Sequence, residues 1–265
     1  MPKITVNNAE IYYEQFGQGQ PVILIAGFTC DHHIWDPVVE ELSKHFQVIK
    51  FDNRGVGQTQ DNALLLTAEL MAQDVIALSR ALGLQKPHIV GQSMGGTIAQ
   101  VIASQYPDEI SKLAILTSAA KWRTAMLKGL QSSMLMRMQD IDFDLIFAVN
   151  VPWVFGENFL SNPENLQTLK QLFLENPYPQ SLEDQIRQFH VLEAFDGTAY
   201  LEKIKAPTLV VHGKQDIIAM RADSENLAKK IPHAKLVEVD AAHAVLIETP
   251  QEISQNLIEF LSLSA

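Results

Sequence analysis

The sequence is poor in cysteine and in positive charge. Cys30 is its single cysteine, so no intrachain disulfide can form and an oxidising compartment is not required. Its 20 Lys and Arg residues stand against 31 Asp and Glu residues, which gives a formal net charge of -11. An acidic surface of this kind argues against nucleic acid and against anionic membranes as partners.

The sequence also lacks any apolar run long enough to cross a bilayer, and residues 1–5 show no apolar signal core. We therefore expect a cytoplasmic protein with no stable membrane association. Of the 265 residues, 47% are hydrophobic and 19% are charged, which is typical of a globular protein and not of a disordered one. This length suffices for one sizeable core, with room for an inserted subdomain.

Predicted strands and helices alternate along most of the chain. Residues 3–16 alternate in the manner of an antiparallel hairpin that turns at Asn7 and Asn8. Further strands are predicted at 21–26, 46–52, 87–90, 110–116, 207–213 and 234–240. Segments with helical spacing lie between them. This alternation predicts an α/β fold with a mostly parallel central sheet that has helices on both faces.

The alternation stops after Ala120 and resumes near residue 204. The segment 121–203 offers no convincing strand pair but several stretches of helical spacing. We expect its prolines to separate the helices, at Pro152, Pro163, Pro177 and Pro179. We interpret 121–203 as a helical cap, or lid, inserted into a core that is formed by 1–120 and 204–265.

The cap segment is rich in methionine, tryptophan and phenylalanine, whose side chains suit the lining of an apolar pocket. Four aromatic residues are candidates for that pocket: Trp122, Phe147, Trp153 and Phe155. Taken singly, each is better explained by packing between helices. As a group they indicate a lid that lines an apolar pocket.

A strand, a tight turn centred on a serine and a helix follow one another around the sequence Gly91-Gln92-Ser93-Met94-Gly95-Gly96. In this context Gly-x-Ser-x-Gly is typical of a nucleophile elbow, in which a strained backbone projects the serine hydroxyl from the end of the sheet. We expect a side chain at position 91 or 95 to collide with the neighbouring strand or helix. The helix N-terminus beside Ser93 would favour negative charge that develops there.

Asp216 and His243 each follow a predicted strand, as Ser93 does, so the three residues are expected at the same edge of the sheet. Their order along the chain, Ser-Asp-His, is that of the serine-elbow fold. An imidazole can take the proton of the serine, and a carboxylate can fix the imidazole tautomer. These properties make the three residues a candidate catalytic triad.

Other residues compete for these roles. His32 and His33 lie on the loop after an early strand, so they could line the pocket. The remaining histidines fall at strand starts, within a strand end or in the cap segment, which favours His243 as the base. Asp240 is a rival acid, but its closeness to His243 in sequence makes it less suited to reach the imidazole from behind.

An oxyanion needs two preorganised hydrogen-bond donors. The N–H of Met94, directly after the serine, is one candidate. The other is expected in the loop after the strand 21–26, where Phe28 is best placed. Cys30 lies on the same loop, but it lacks a helix N-terminus and an obvious base, so we do not expect it to be a nucleophile.

These motifs resemble those of the α/β-hydrolase superfamily with an inserted helical cap, over nearly the whole length of the chain. The resemblance rests on the stretches 26–35, 52–57, 91–96, 213–216 and 242–250. Within the superfamily the chain looks most like small capped carboxylesterases. These include enzymes similar to 3-oxoadipate enol-lactonase, the pimeloyl-carrier methyl esterase, and cofactor-free haloperoxidases or perhydrolases.

The resemblance implies a role for each candidate: Ser93 as nucleophile, Asp216 as acid, His243 as base, and Phe28 and Met94 as oxyanion donors. It implies no metal and no organic cofactor. We therefore expect a hydrolase that cleaves a small-molecule carboxylic ester or lactone through an acyl-enzyme. Two alternatives stay open. One is a cofactor-free perhydrolase, haloperoxidase or acyltransferase with the same triad, and the other is a non-catalytic receptor for a small ligand.

Overall fold

The computed structural model of the protein describes residues 2–62 and 65–263, and nine strands form one sheet within these ranges. The strands are β1 (Lys3–Val6), β2 (Ala9–Phe16), β3 (Pro21–Ile25), β4 (Gln47–Phe51), β5 (Gln60–Asp61), β6 (His88–Gln92), β7 (Leu113–Leu116), β8 (Thr208–Gly213) and β9 (Lys235–Val239). The hairpin predicted over residues 3–16 is present, because β1 and β2 pair antiparallel across Asn7 and Asn8.

The strands lie in the order β1-β2-β4-β3-β6-β7-β8-β9, and β5 pairs with β2. Every neighbouring pair from β4 through β9 is parallel, which confirms the mostly parallel sheet that the sequence predicts. Parallel neighbours need crossover connections, so the loops that leave these strands all emerge at the same edge of the sheet. The residues that follow β3, β6, β8 and β9 are thereby brought together.

Eleven α-helices are found in the described part of the chain. They are α1 (Asp36–Leu42), α2 (Ala68–Ala81), α3 (Met94–Gln105), α4 (Thr124–Met138), α5 (Phe143–Val154), α6 (Glu157–Leu160), α7 (Pro163–Glu175), α8 (Leu182–Ala194), α9 (Arg221–Lys230), α10 (Val245–Glu248) and α11 (Pro250–Ser262). Across the ranges 2–62 and 65–263, no helix combines the length and the apolar character that a membrane crossing requires.

Helices cover both faces of the sheet. Successive residues of β3 point to opposite sides, so Ile23 and Ile25 pack in the cluster that contains α2 and α3, whereas Val22 and Leu24 pack in the cluster that contains α1 and α11. All four side chains are fully buried. Burying an aliphatic side chain of this size contributes about 1.5–3 kcal/mol. The apolar runs that predict the strands therefore pack into the core from both sides of the sheet, together with the helices that cover it.

The helices α4 to α8 all lie between β7 and β8 in the chain. Pro163 opens α7, as expected for a proline at a helix start. The expectation that Pro152 separates two helices is wrong, because this residue lies inside α5, which continues to Val154. A proline removes one backbone hydrogen bond of a helix. In the last turn this loss does not stop the helix, and α5 continues for two residues beyond Pro152.

Candidate active site

Ser93 occupies the sharp turn between β6 and α3. The strand ends at Gln92, and Met94 opens the helix. The backbone of Ser93 has φ +54° and ψ -117°, a conformation that is sparsely populated by residues other than glycine and costs about 1–3 kcal/mol. The strained turn predicted from the sequence is present, and 7% of the Ser93 surface stays exposed.

Close approach of other backbone requires glycine on both sides of this serine. A Cβ on Gly91 would overlap the carbonyl group of Gly95. A Cβ on Gly95 would overlap the carbonyl group of Ile25, which belongs to the neighbouring strand β3. The two collisions expected from the motif are therefore found, and they show why α3 can begin so close to the sheet only with these glycines.

His243 lies between Ser93 and Asp216. Its Nε2 atom is 2.9 Å from Ser93 Oγ, and its Nδ1 atom is 2.9 Å from Asp216 Oδ2. An ionised carboxylate can only accept hydrogen bonds, so we assign the ring proton to Nδ1 and an acceptor role to Nε2. The structure thus brings together three residues that the sequence places after three different strands.

The carboxylate of Asp216 is held on its other side by backbone. Its Oδ1 atom accepts hydrogen bonds from the amides of Ile218 and Ala219, at 2.8 and 3.0 Å. Because the turn after β8 fixes one oxygen, the second oxygen stays directed at the imidazole. A carboxylate oriented in this way can hold the imidazole in one tautomer and stabilise the imidazolium.

The competing residues lie in other surroundings. Asp240 is exposed. The Nδ1 atom of His212 is 3.4 Å from the hydroxyl of Ser224 on α9. His32 is buried, and its Nδ1 atom is 2.7 Å from Asp52 Oδ1. The imidazole that reaches the hydroxyl of the elbow serine is that of His243, the residue favoured from the sequence.

The loop after β3 lies directly against the serine. A Cβ on Gly27 would be 2.5 Å from Gln92 Oε1 and 3.2 Å from Ser93 Cβ. Phe28 follows in this loop. The N–H of Met94 belongs to the first turn of α3, where amides have no acceptor within the helix. The Met94 amide therefore lies at the positive end of the helix dipole, and Phe28 follows the glycine that lies against Ser93.

Three polar side chains that the sequence analysis did not select support this geometry. Gln92 Nε2 and Thr117 Oγ1 both donate to the carbonyl oxygen of His243, at 3.4 and 3.2 Å. Ser118 Oγ donates to the carbonyl oxygen of Ser93 at 2.7 Å. The available signal was position, because all three residues adjoin strand ends at the edge of the sheet where the triad was expected.

Gln188 was also missed, and no local pattern could have found it. This side chain is fully buried on α8. Its Oε1 atom accepts the amide of Thr29 at 3.0 Å, and its Nε2 atom donates to the carbonyl of Arg54 at 2.8 Å. Thr29 follows Phe28 directly, so α8 is fastened to the loop that carries the candidate oxyanion donor.

Two of the four aromatic pocket candidates pack in a cluster with the residue that follows His243. Phe147 and Phe155 belong to an apolar cluster that also contains Ala244, the residue after His243. Phe155 is buried and stacks on Phe159, with ring centroids 4.3 Å apart. The cluster thus brings apolar side chains of α5 and its C-terminal end to the loop of the imidazole.

The other two candidates have contacts with different residues. Trp122 is buried in the main core and donates from Nε1 to Thr97 Oγ1 at 3.1 Å. Trp153 is 41% exposed, and its ring lies beside Gly129 on α4. Packing, the alternative stated for single residues, accounts for these two contacts, and the assignment of both residues to the pocket stays a prediction.

Cys30 is the free thiol of the loop after β3. Burial raises the pKa of this thiol, and the neighbouring Asp31 carboxylate raises it further. A thiol rather than a thiolate is therefore expected at neutral pH, and the thiol is the weak nucleophile of the two forms. The structure gives Cys30 no feature of a reactive cysteine.

One group of side chains in the ranges 2–62 and 65–263 has the donor types of a metal site. Asp31, His32 and His33 have ligand atoms within 4.8 Å of one another. The Nδ1 atoms of the two histidines already face the carboxylates of Asp52 and Asp36. This group lies at the start of the 3-10 helix His32–Trp35, which follows the loop after β3.

Residues 20–250 match the model of the α/β hydrolase fold family. This span covers most of the chain and includes the elbow, the acid and the imidazole. The chain therefore belongs to the α/β-hydrolase fold family, as the resemblance of its motifs implies.

Several proteins of similar sequence or structure are named as a hydrolase, a lactonase or an esterase. A protein of Azorhizobium caulinodans with the provisional name carbamate hydrolase RutD is 29% identical over 271 residues, which is 98% of each chain. The enol-lactonase of Burkholderia xenovorans has a TM-score of 0.89 and 25% identity, over 99% of this chain and 100% of its own. A thermophilic esterase of Thermogutta terrifontis has a TM-score of 0.85 and 29% identity, over 98% and 97%.

Proposed function

We propose that the protein is a serine hydrolase that cleaves a carboxylic ester or a lactone, with Ser93, His243 and Asp216 as its catalytic triad. The observation that carries the proposal is the continuous hydrogen-bonded chain from the serine hydroxyl through the imidazole to the carboxylate, in which both links measure 2.9 Å. Such a chain lets the hydroxyl lose its proton while its oxygen attacks a carbonyl carbon.

In the first half-reaction, Ser93 Oγ attacks the acyl carbon and its proton passes to His243 Nε2. Asp216 stabilises the imidazolium, and the carbonyl oxygen becomes an oxyanion that accepts the amides of Phe28 and Met94. Removal of one such donor typically costs about 100-fold to 1000-fold in kcat, so these two amides are a large part of the proposed catalysis.

The tetrahedral intermediate then breaks its bond to the alkoxide, which takes the proton from the His243 imidazolium. An acyl-enzyme on Ser93 remains. In a lactone, the alkoxide stays attached to the acyl group through the opened ring. Water next gives a proton to the imidazole and attacks the acyl carbon. Collapse of the second intermediate releases the carboxylic acid and returns the proton to the serine.

We further propose that 121–203 forms a cap over this site and that 1–120 and 204–265 form the core. The carbonyl oxygen of Val154, at the end of α5, accepts the amide of His243 at 3.0 Å, which supports this assignment. The cap would then shape the space in which the acyl group lies.

Phe147 and Phe155 are our preferred candidates for the wall of that space. Their apolar cluster with Ala244 supports this choice, and it suits an apolar acyl group. Trp122 and Trp153 stay candidates from the sequence alone. Alanine at each position, with a series of acyl esters, would rank the four by their effect on chain-length preference.

A carbamate is the second candidate substrate class. The relative from Azorhizobium caulinodans that spans 98% of this chain carries that activity in its provisional name. The same nucleophile, base and oxyanion donors would act on a carbamate carbonyl, because the chemistry again passes through a tetrahedral intermediate. The two classes differ in the acyl group that the site must accept and in the leaving group.

The test is hydrolysis of p-nitrophenyl esters of increasing acyl length, of lactones and of a carbamate, by the native chain and by Ser93→Ala. We expect native turnover with an optimum in acyl length, and loss of at least about a thousandfold in the variant. Labelling of Ser93 by an organophosphonate gives a second readout. Native protein that neither turns over nor labels at Ser93 would favour the receptor, and equal activity in both proteins would reject Ser93.

Product analysis separates hydrolysis from the related reactions. With peroxide or an alcohol present, a hydrolase yields mainly the free acid, because water reaches the acyl-enzyme. A peracid or a transferred ester as the dominant product would instead assign the chain to the perhydrolases or acyltransferases.

A further inference from the structure

The segment 154–157, which joins α5 to α6, is hydrogen-bonded to the loops of both the acid and the base. The carbonyl oxygen of Val154 accepts the amide of His243 at 3.0 Å. The amide of Glu157 donates to Gln215 Oε1, also at 3.0 Å, and Gln215 directly precedes the proposed catalytic acid. One short segment therefore contacts the two loops whose relative position sets the imidazole-carboxylate distance.

The carboxylate of Glu248 also contacts this segment. We call the segment 154–157, with the side chains of Gln215 and Glu248 that bind it, the junction. Glu248 is the last residue of α10, and its two oxygens accept amides from different parts of the chain. Oε2 accepts the amide of Gly156 at 2.9 Å, and Oε1 accepts the amide of Ala242 at 3.0 Å. Because Ala242 directly precedes His243, the carboxylate ties the proposed base to the segment between α5 and α6.

The junction leaves no space for a side chain at its centre. A Cβ on Gly156 would be 2.9 Å from both Glu248 Oε2 and Gln215 Oε1. Gly156 itself is buried. The backbone of the segment is thus in direct contact with side chains from both loops, and it cannot shift without breaking hydrogen bonds to them.

The surroundings of Glu248 are unfavourable for a charged group. Burial raises the pKa of this carboxyl and the carboxylates of Asp216 and Asp240 raise it further, whereas the amides of Gly156 and Ala242 lower it. A hydrogen bond to an ionised acceptor is roughly twice as strong as one between neutral groups. The hydrogen bonds from these two amides are therefore the main interactions that stabilise the negative charge of the Glu248 carboxylate.

Catalysis by a histidine requires its ring to be held within about 0.5 Å of the productive position by residues that are themselves fixed. The ring of His243 is held at both nitrogens by side chains, and its backbone is held by the junction. Loss of the hydrogen bonds from the Ala242 and Gly156 amides to Glu248 would remove two of the contacts that keep this backbone in place.

We propose that Glu248 is a positioning residue for His243. The carboxylate of Glu248 keeps the imidazole aligned with Ser93 and Asp216 only while the segment 154–157 is hydrogen-bonded to this carboxylate. The inference rests on the proposed function, since it takes His243 to be the catalytic base. It implies that the placement of the cap and the alignment of the triad are coupled through one side chain that does not touch the substrate.

The test compares Glu248→Ala and Glu248→Gln with Glu252→Gln, a matched control at an exposed glutamate one turn further on. We expect kcat to fall about 30-fold to 100-fold in Glu248→Ala, with little change in KM for a small ester, because the ring is misplaced by a fraction of an ångström. Glu248→Gln keeps one acceptor oxygen and should recover part of the loss. Glu252→Gln should match the native chain.

A second readout needs no substrate. The proton on His243 Nδ1, which faces Asp216, should give a low-field proton resonance that His243→Asn removes. We expect this resonance to broaden or vanish in Glu248→Ala and to persist in Glu252→Gln. If Glu248→Ala does not fold, Glu248→Gln decides the matter by both readouts.

Two results would overturn the proposal. One is a Glu248→Ala protein with a lower melting temperature but native kcat and a native resonance, which would leave Glu248 a purely structural role. The other is a fall in kcat that equals the fall in the fraction of Ser93 that excess organophosphonate labels at completion, because a misaligned imidazole slows the labelling without lowering its end point. Failure of the proposed function is distinguishable, because the native chain would then lack turnover and labelling while the resonance still reports on the imidazole.

Discussion

His88 and His243 are both buried histidines, and their rings lie near opposite ends of the strand β6. His88 is the first residue of β6, whereas the imidazole of His243 reaches Ser93, which follows the last residue of β6. The two residues are 3% and 7% exposed, so burial does not separate them. What separates them is the set of groups around each ring.

The ring of His88 has neighbours but few partners. It meets the ring of Phe46 edge-on at 6.1 Å, and within the described residues its Nδ1 atom has no hydrogen-bond partner. Burial lowers the pKa of His88 to about 4, and the positive charge of Lys112 contributes. Burial alone thus gives a neutral packing residue, whereas a carboxylate on one nitrogen and a hydroxyl on the other give a candidate base.

The largest expected effect comes from removing the partnered imidazole. His243→Asn should lower kcat by about 10⁶-fold, because nothing then takes the proton of Ser93. His88→Asn should leave kcat/KM of the folded protein within about twofold of native. Steady-state hydrolysis of a p-nitrophenyl ester measures both. A comparable loss of activity in the two variants would remove the distinction between the ends of the strand.

The next effect sharpens the role of the carboxylate. Asp216→Asn should lower kcat by about 10⁴-fold, because an amide can stabilise the wrong imidazole tautomer and carries no charge. Asp240→Asn is the matched control at the rival acid, which is exposed, and it should keep native kcat. The same ester assay compares them. Activity lost at Asp240 and retained at Asp216 would reverse the assignment of the acid.

The third effect concerns the contribution of His88, the first residue of β6, to the free energy of unfolding. Since its pKa is lowered in the folded chain, the unfolded chain binds a proton near pH 6.5 that the folded chain takes up only near pH 4. The free energy of unfolding should therefore fall by about 3 kcal/mol as the pH drops through this window. In urea unfolding at pH 7, 5 and 4, the native chain should therefore lose about this much more stability than His88→Gln.

The smallest effect has the opposite sign. Burial lowers the pKa of His32, but the hydrogen bond to Asp52 and the charge of that carboxylate outweigh it and raise the pKa above its usual value. Stability from this pair is fully present below about pH 6.5 and is lost as the pH rises through the raised value. His32→Gln should therefore destabilise the chain more at pH 6 than at pH 9, as urea unfolding would show. An equal loss at both pH values would contradict this reasoning.

The sequence predicts those parts of the fold and site that depend on local pattern. Apolar runs mark the strands, and parallel strands place their exit loops at one edge, so Ser93, Asp216 and His243 could be selected together. The glycines at 91 and 95 reveal the strained turn because only close backbone contacts demand them. The geometry at these residues agrees with the expectation because each step rests on neighbours in sequence.

The rest depends on contacts between distant segments. Gln188 reaches Thr29, which is 159 residues away, and Glu248 reaches Gly156, which is 92 residues away. Nothing in the neighbourhood of either residue indicates those partners, because a glutamine or glutamate on a helix is usually solvated. The prediction for Pro152 was wrong for a different reason. The rule that a proline ends a helix is weaker when the proline lies in the last turn of that helix.

The left-handed backbone of Ser93 sets a limit on how stable this hydrolase can become. Glycine adopts that conformation without strain, so replacement of the serine would relieve a local cost of about 1–3 kcal/mol. Selection for thermal resistance alone would therefore favour glycine at the position of the proposed nucleophile. The chain keeps a strained residue at the end of β6, and the buried apolar residues of the strands and helices have to offset that strain.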